Sequence, residues 1–148
     1  MRRHHYPLQR IVLCALLLTG GAMVAREQAP VRQDPDTCGY LKGQYELIGR
    51  FPDSTKIFRG TARLTFDGTR LHMERTMNGK TVAGTARLDV SGPDRIEVLR
   101  AKFAIEGEHY DATYLWRSDL DNYPILTGRV YRKGTKSPGV EALFPVTR

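Results

Sequence analysis

The sequence predicts an all-β domain in which a single antiparallel up-and-down meander closes into a barrel of roughly eight strands. Apolar and polar residues alternate with a period of two in one short segment after another, as in half-buried strands. Turn dipeptides such as Asn-Gly and Asp-Gly separate these segments. No stretch of the domain keeps a helical period. Closing so long a meander would remove its exposed edges, and a two-sheet β-sandwich is the structural alternative.

The first 25 residues have the three parts of an export signal. Arg2, Arg3 and Arg10 form a basic head, an apolar run follows over residues 11–18, and small residues lead to position 25. The apolar stretch is shorter than the roughly 20 residues that a membrane-spanning helix needs. We therefore predict a cleaved signal peptide over residues 1–25 and an exported protein, periplasmic or secreted, with no transmembrane span after cleavage.

Residues 26–37 are predicted to be a disordered linker, because they combine two prolines with mixed charges and few apolar side chains. The folded domain then covers residues 38–148. Loss of the signal removes three of 23 basic residues and no acidic ones, so the formal charge falls from +7 to about +4. That charge favours solubility and does not indicate nucleic acid as a partner. Only Cys38 remains, so the fold has no internal disulfide and depends on its core.

The first half of the domain contains four predicted strands and a short internal repeat. The strands cover residues 44–51, 56–66, 70–77 and 81–90. Asp67-Gly68 and Asn78-Gly79 supply tight turns between them. Gly-Thr-Ala-Arg-Leu begins at residue 60 and recurs at residue 84. Since both copies alternate in the same phase, we expect the two strands to present equivalent faces.

The second half is predicted to contain four more strands. They cover residues 95–105, 110–117, 125–132 and 140–146. Along the first of these, the apolar positions change parity between Val98 and Leu99, which predicts a β-bulge at that point. Residues 119–124 form a polar loop. Pro145 confines the last strand to an edge or to the end of the sheet.

Gly43-Gln44-Tyr45 at the head of the first strand resembles the Gly-x-Trp start of the lipocalin-like (calycin) barrels, with Tyr in place of Trp. Arg129 or Arg132, on the penultimate strand, would take the place of the basic residue that packs over that aromatic ring. The resemblance covers residues 43–146 in layout and three residues in motif. It implies an up-and-down β-barrel.

A barrel of eight strands is either filled by side chains or holds one small ligand. Bulky residues at several inward positions favour filling. Other inward positions carry small residues: Gly60, Ala62, Gly84, Ala86, Ala101, Ala112 and Gly128. Small residues either leave room for a ligand or let the backbones of neighbouring strands approach closely. The sequence leaves both interpretations open.

Arg75 shares the parity of Leu71, Met73 and Met77, so an inward face would place a guanidinium among apolar side chains. A buried charge needs a partner, and a ligand carboxylate is one candidate. The alternative is that the strand frays near Asn78 and that Arg75 extends to water. The candidate ligand-binding residues are Arg75, Met73, Met77, Tyr114, Trp116 and Phe58. No cofactor is expected.

Three functional hypotheses follow. The first is an exported protein that holds a small, largely apolar ligand in the barrel cavity, and this ligand is anionic if Arg75 binds its carboxylate. The second is an envelope interaction or inhibitor module with a filled barrel, which presents the 119–124 loop and the basic segment around Lys133 and Lys136 to a protein partner. The third and least supported is an enzyme that uses His109 with nearby carboxylates. Their spacing matches no known metal-ligand pattern, so no metal is predicted.

Overall fold

The computed structural model describes the backbone of residues 33–118 and 123–146, and the fold in this part is an eight-stranded closed barrel. A short helix, α1 (Pro35–Leu41), precedes the strands. The strands are β1 (Gly43–Arg50), β2 (Ile57–Phe66), β3 (Leu71–Met77), β4 (Lys80–Ser91), β5 (Ile96–Ile105), β6 (Glu108–Ser118), β7 (Pro124–Arg132) and β8 (Gly139–Pro145). The predicted all-β meander is confirmed, and each strand boundary lies within two residues of its predicted position.

Every strand pairs antiparallel with the next one along the chain, and β8 pairs with β1 to close the barrel. The predicted signal peptide and residues 26–32 lie outside the described residues. Within the described part of the chain, no helix has the length and apolar character needed to cross a bilayer.

The helix α1 begins inside the segment that was predicted to be a disordered linker. Asp34 is its N-cap and accepts a hydrogen bond from the Thr37 amide at 2.9 Å, and Pro35 follows at the first helical position. Both are favourable at a helix start. Gln33 is also ordered against the barrel, because its side-chain amide pairs with the backbone N–H and C=O of Leu88. Residues 33–37 therefore belong to the folded domain, since capping makes this polar run a helix start.

The helix closes one end of the barrel, here called the helix end. Cys38 and Leu41 are fully buried in the core, and the Tyr45 hydroxyl donates to the Leu41 carbonyl at 2.6 Å. Burial raises the pKa of that hydroxyl, so it stays a hydrogen-bond donor. The opposite end, here called the turn end, carries the connections at residues 51–56, 78–79, 106–107 and 133–138.

Inward-facing glycines let large side chains from neighbouring strands fill the interior. Gly60 lies opposite Met77 and Gly84 lies opposite Phe103. A Cβ at Gly60 would lie 2.3 Å from the Thr76 carbonyl oxygen, and one at Gly84 would lie 2.5 Å from that of Lys102. At these positions the small residues permit close approach and do not leave open space.

The repeated segment presents equivalent faces, as expected. In both copies the alanine and the leucine are buried and the threonine and the arginine are exposed. The two copies lie on β2 and β4, with β3 between them.

The predicted bulge in β5 is wrong. Val98 and Leu99 pair with Asp89 and Leu88 in an uninterrupted register. Leu99 belongs to the barrel core, whereas Val98 lies outside that core cluster and is nevertheless 2% exposed. Two consecutive apolar residues occur because the strand is covered on both faces there, and not because its register changes.

Candidate functional site

Arg75 lies inside the barrel near the turn end. The strand β3 continues to Met77, and the hairpin turn follows at Asn78 and Gly79, both with positive φ. The side chain of Arg75 is 1% exposed. The predicted inward face is therefore correct, and the alternative in which the strand frays and Arg75 reaches water is wrong.

The partner of Arg75 is a carboxylate of the same chain. Arg75 Nη1 donates to Glu141 Oε2 at 3.0 Å and Nη2 donates to Oε1 at 2.5 Å. This forked pair is a strong form of the arginine–carboxylate interaction, and Glu141 is also buried. Sequence reasoning did not single out Glu141. The available signal was a lone acid at an inward position of an otherwise apolar strand, because a buried cation calls for a buried anion.

Tyr114 completes the network. Its hydroxyl donates to Glu141 Oε2 at 2.6 Å and accepts from Arg75 Nη1 at 3.0 Å. Burial, reinforced by the Glu141 charge, raises the pKa of Tyr114, so the phenol keeps its proton and donates. Burial alone would lower the pKa of Arg75, but the interactions with Tyr114 and Glu141 outweigh it and raise that pKa. The network thus holds one internal ion pair.

Two glycines make room for this network. Gly49 and Gly128 are the register partners of Glu141 on its two neighbouring strands, and Gly128 also lies opposite Tyr114. A Cβ at Gly128 would lie 2.4 Å from Tyr114 Cδ1, and one at Gly49 would lie 2.8 Å from Glu141 Cγ. Any larger residue would displace the carboxylate or the phenol.

An aromatic ring covers the guanidinium. Arg75 Cζ lies 3.9 Å from the Phe103 ring centroid, within cation–π range. The Met77 sulfur is 4.0 Å from Nη2. Arg75 Nε is buried and has no hydrogen-bond partner in the part of the chain that the structure describes.

An aromatic cluster packs over the network at the turn end. Phe51 stacks on Phe58 with ring centroids 4.5 Å apart and contacts Tyr110 at 5.7 Å. Tyr110 in turn stacks on Phe103 at 5.4 Å. Offset aromatic pairs at these separations are favourable. The cluster covers this end of the core, as α1 covers the other.

The structure brings together three of the six candidate ligand-binding residues: Arg75, Met77 and Tyr114. Met73 lies one inward position further from the turn end, between Leu64 and Gly84. Phe58 belongs to the aromatic cluster. Trp116 lies opposite Leu126, closer to the helix end, and is only partly buried. Phe103 and Glu141 are the contacts of Arg75 that sequence reasoning missed.

The carboxylates near His109 are paired with cations. Glu106 lies 2.8 Å from Lys80 Nζ, Asp111 lies 3.2 Å from Lys102 Nζ, and Glu108 lies 3.8 Å from an Arg132 nitrogen. The hydrogen bond from Lys80 and then its charge lower the pKa of Glu106. Among the described residues, no group of three or more His, Cys, Asp and Glu side chains is placed to hold a metal ion.

The basic segment at residues 133–138 is hydrogen-bonded to the connection between β1 and β2. The Asp53 carboxylate accepts hydrogen bonds from the backbone amides of Lys136 and Ser137. These bonds lower the pKa of Asp53. Most of the polar loop that was expected to present a contact surface, residues 119–122, lies outside the described part of the chain.

Two concavities lie on the outside of the barrel. One of about 1010 Å³ crosses the outer side of β3–β7, and its Arg87 and Arg100 both pair with Asp89. The other, of about 430 Å³, lies at the helix end and includes Lys42, Arg63, Tyr123 and Val146 among its lining residues.

The outward side of β8 is apolar at every position. We use the term β8 face for Val140, Ala142, Phe144 and Val146 together with Ile48, which lies opposite Ala142 on β1. Val140 is 40% exposed and Phe144 is 44% exposed. Contiguous exposed apolar patches are typical of contact surfaces.

Only the first part of the lipocalin-like motif is formed. Tyr45 occupies the start of β1 and is buried. Arg129 is exposed on the outer side of β7, and Arg132 lies at the turn end, opposite Tyr110. Neither arginine therefore packs over Tyr45. No protein-family model, no curated protein and no solved structure is significantly similar to the chain.

Proposed function

We propose that this chain is an exported binding module that makes its contacts through the outside of a filled, lipocalin-like barrel. The observation that carries this proposal is the internal pairing of Arg75 with Glu141 and Tyr114. A ligand carboxylate would have been the natural partner of an unpaired Arg75, and the chain supplies that carboxylate itself.

The packing of the barrel supports the same proposal. The helix α1 packs on one end of the core and the aromatic cluster packs on the other. The inward glycines lie against neighbouring backbone and side chains. By contrast, the β8 face leaves several large apolar side chains in solvent, which folding of the barrel does not require.

A second candidate is a carrier of a small, largely apolar ligand held inside. Arg75 Nε favours it, because this donor is buried without a partner and would bind an acceptor atom of a ligand. Met73, Met77 and Phe58 would then line the ligand, as the sequence analysis expected.

Native mass spectrometry of the protein, purified after export and without denaturation, separates the two candidates. We expect the mass of the bare chain. A reproducible added mass that is lost in Arg75→Lys, which keeps the charge but not the forked geometry, would overturn the external-contact proposal. The matched control is Arg87→Lys, which changes an exposed arginine on the outer side of β4.

A further inference from the structure

On the outer side of β3–β6, several charged side chains pair within the chain. His72 pairs with Asp67, Arg100 pairs with Asp89, and Lys102 pairs with Asp111. Around the β8 face the situation differs. In the described part of the chain, no carboxylate lies within ion-pair distance of Arg59, Arg63 or Arg129.

These cations border the apolar strip on both sides. Arg50 on β1 and Arg129 on β7 are the register partners of Val140. Arg59 on β2 lies opposite Ile48. Two acidic residues lie among these cations: Glu46 is opposite Phe144, and Glu74 is opposite Arg63 but forms no ion pair with it. The β8 face is therefore an apolar strip with a clear excess of positive charge at its borders.

The β8 face continues into the smaller of the two concavities, which lies at the helix end and is here called the hollow. The Val146 amide donates to the Gln44 carbonyl at 2.8 Å, which extends the β8–β1 pairing past the end of the strand. Val146 also lines the hollow of about 430 Å³, together with Lys42 and Arg63. An apolar surface that ends in a hollow with two cations matches a molecule with apolar chains and an anionic head.

We propose that the β8 face docks on an anionic lipid surface, with its apolar side chains in the interface and Lys42 and Arg63 on a lipid phosphate. The inference rests on the proposed function, since it places the contact on the outside of the barrel. Apolar burial and attraction of cations to anionic lipid act together at such surfaces. A second copy of the chain is a poorer occupant, because pairing this face with itself brings most of its cations against like charges.

The test is co-sedimentation of the exported protein with phosphatidylcholine vesicles that contain or lack phosphatidylglycerol. We expect binding to the anionic vesicles and little to the neutral ones. Removing one bordering cation should weaken binding about fivefold. The variant Lys42→Gln/Arg63→Gln should therefore lose binding by more than tenfold, and it alters no buried side chain. Raising the salt concentration should weaken the wild type in the same direction.

The apolar contribution is tested by Val140→Thr/Phe144→Thr, which keeps strand-forming side chains on β8. We expect loss of vesicle binding with an unchanged circular dichroism spectrum. The control matched to Lys42→Gln/Arg63→Gln is Arg87→Gln/Lys102→Gln, which removes two exposed cations from the opposite side of the barrel and should bind like the wild type.

Equal binding to neutral and anionic vesicles, or equal loss in the control variant, would overturn the lipid proposal. So would a dimer in sedimentation equilibrium that Phe144→Thr dissociates, because the occupant would then be a second copy. Failure to bind any vesicle would remove the lipid partner and leave the external-contact proposal intact, since that proposal is tested separately by the bare or added mass.

Discussion

The strands β3 and β8 both place one ionic residue inside the barrel, but their outer sides differ. On β3 the outward residues are His72, Glu74 and Thr76, which are polar. On β8 they are apolar, and Val140 and Phe144 are 40% and 44% exposed. The buried residues of the two strands form one ion pair. Core packing accounts for the inward residues of both strands, and contact with water accounts for the polar outward residues of β3. Neither accounts for the apolar exterior of β8, which is why we propose a contact surface there.

The largest expected effect comes from breaking the internal pair. Glu141→Gln leaves the Arg75 charge buried without a counter-charge, and breaking such a pair costs about 3–5 kcal/mol. Urea unfolding of the variant and the wild type measures the difference. The paired variant Arg75→Met/Glu141→Leu removes both charges and should recover part of the loss, because the buried Tyr114 hydroxyl then has no partner. If the free energy of unfolding of Glu141→Gln lies within about 1 kcal/mol of the wild-type value, the ion pair is not an important part of the core.

A smaller effect tests the space that Gly128 leaves for Tyr114. Gly128→Ala should destabilise the barrel by about 1–3 kcal/mol, because its methyl group overlaps Tyr114. The control is Gly39→Ala in α1, where a Cβ meets nothing within 4 Å. That change should stabilise the protein by about 0.5–1 kcal/mol. Similar destabilisation by both variants would contradict the tight packing around the network.

A pH-dependent effect tests the polar exterior of β3. The hydrogen bond from His72, with those from the Arg70 and Thr69 amides, lowers the pKa of Asp67 to about 2. A carboxyl group whose folded pKa lies below its unfolded value stabilises above the unfolded pKa, near 3.9. That stabilisation is lost as the pH falls from about 4 to about 2. Asp67→Asn should therefore show a shallower fall of the urea midpoint over this range. Parallel curves would contradict the assignment.

The smallest expected effect on stability comes from the exterior of β8. Phe144→Thr should change the free energy of unfolding by no more than about 0.5 kcal/mol, because the side chain faces solvent. Thermal or urea unfolding checks this. A loss as large as that of Gly128→Ala would mean that Phe144 supports the fold, and the contrast between the two sides of β8 would then disappear.

Much of the fold could be predicted because the apolar–polar alternation of a half-buried strand is visible in its own sequence. Alternation located all eight strands, and the turn at Asn78-Gly79 located the hairpin between β3 and β4. The helix α1 was missed because its start consists of polar residues and proline, which also form linkers. The bulge was predicted wrongly because two adjacent apolar residues have the same pattern whether a strand slips or is covered on both faces.

The sequence by itself determined that Arg75 shares a face with Leu71, Met73 and Met77, since parity within a strand is a local property. Only the tertiary structure decided what Arg75 binds. Glu141 lies 66 positions away on a strand that is not a neighbour of β3, and the two meet across the interior. That meeting depends on the closure of β8 against β1 and on the register of all eight strands. The same closure placed Val140 beside Arg50 of β1, 90 positions earlier in the chain, whereas Arg129 reaches Val140 through the local β7–β8 hairpin.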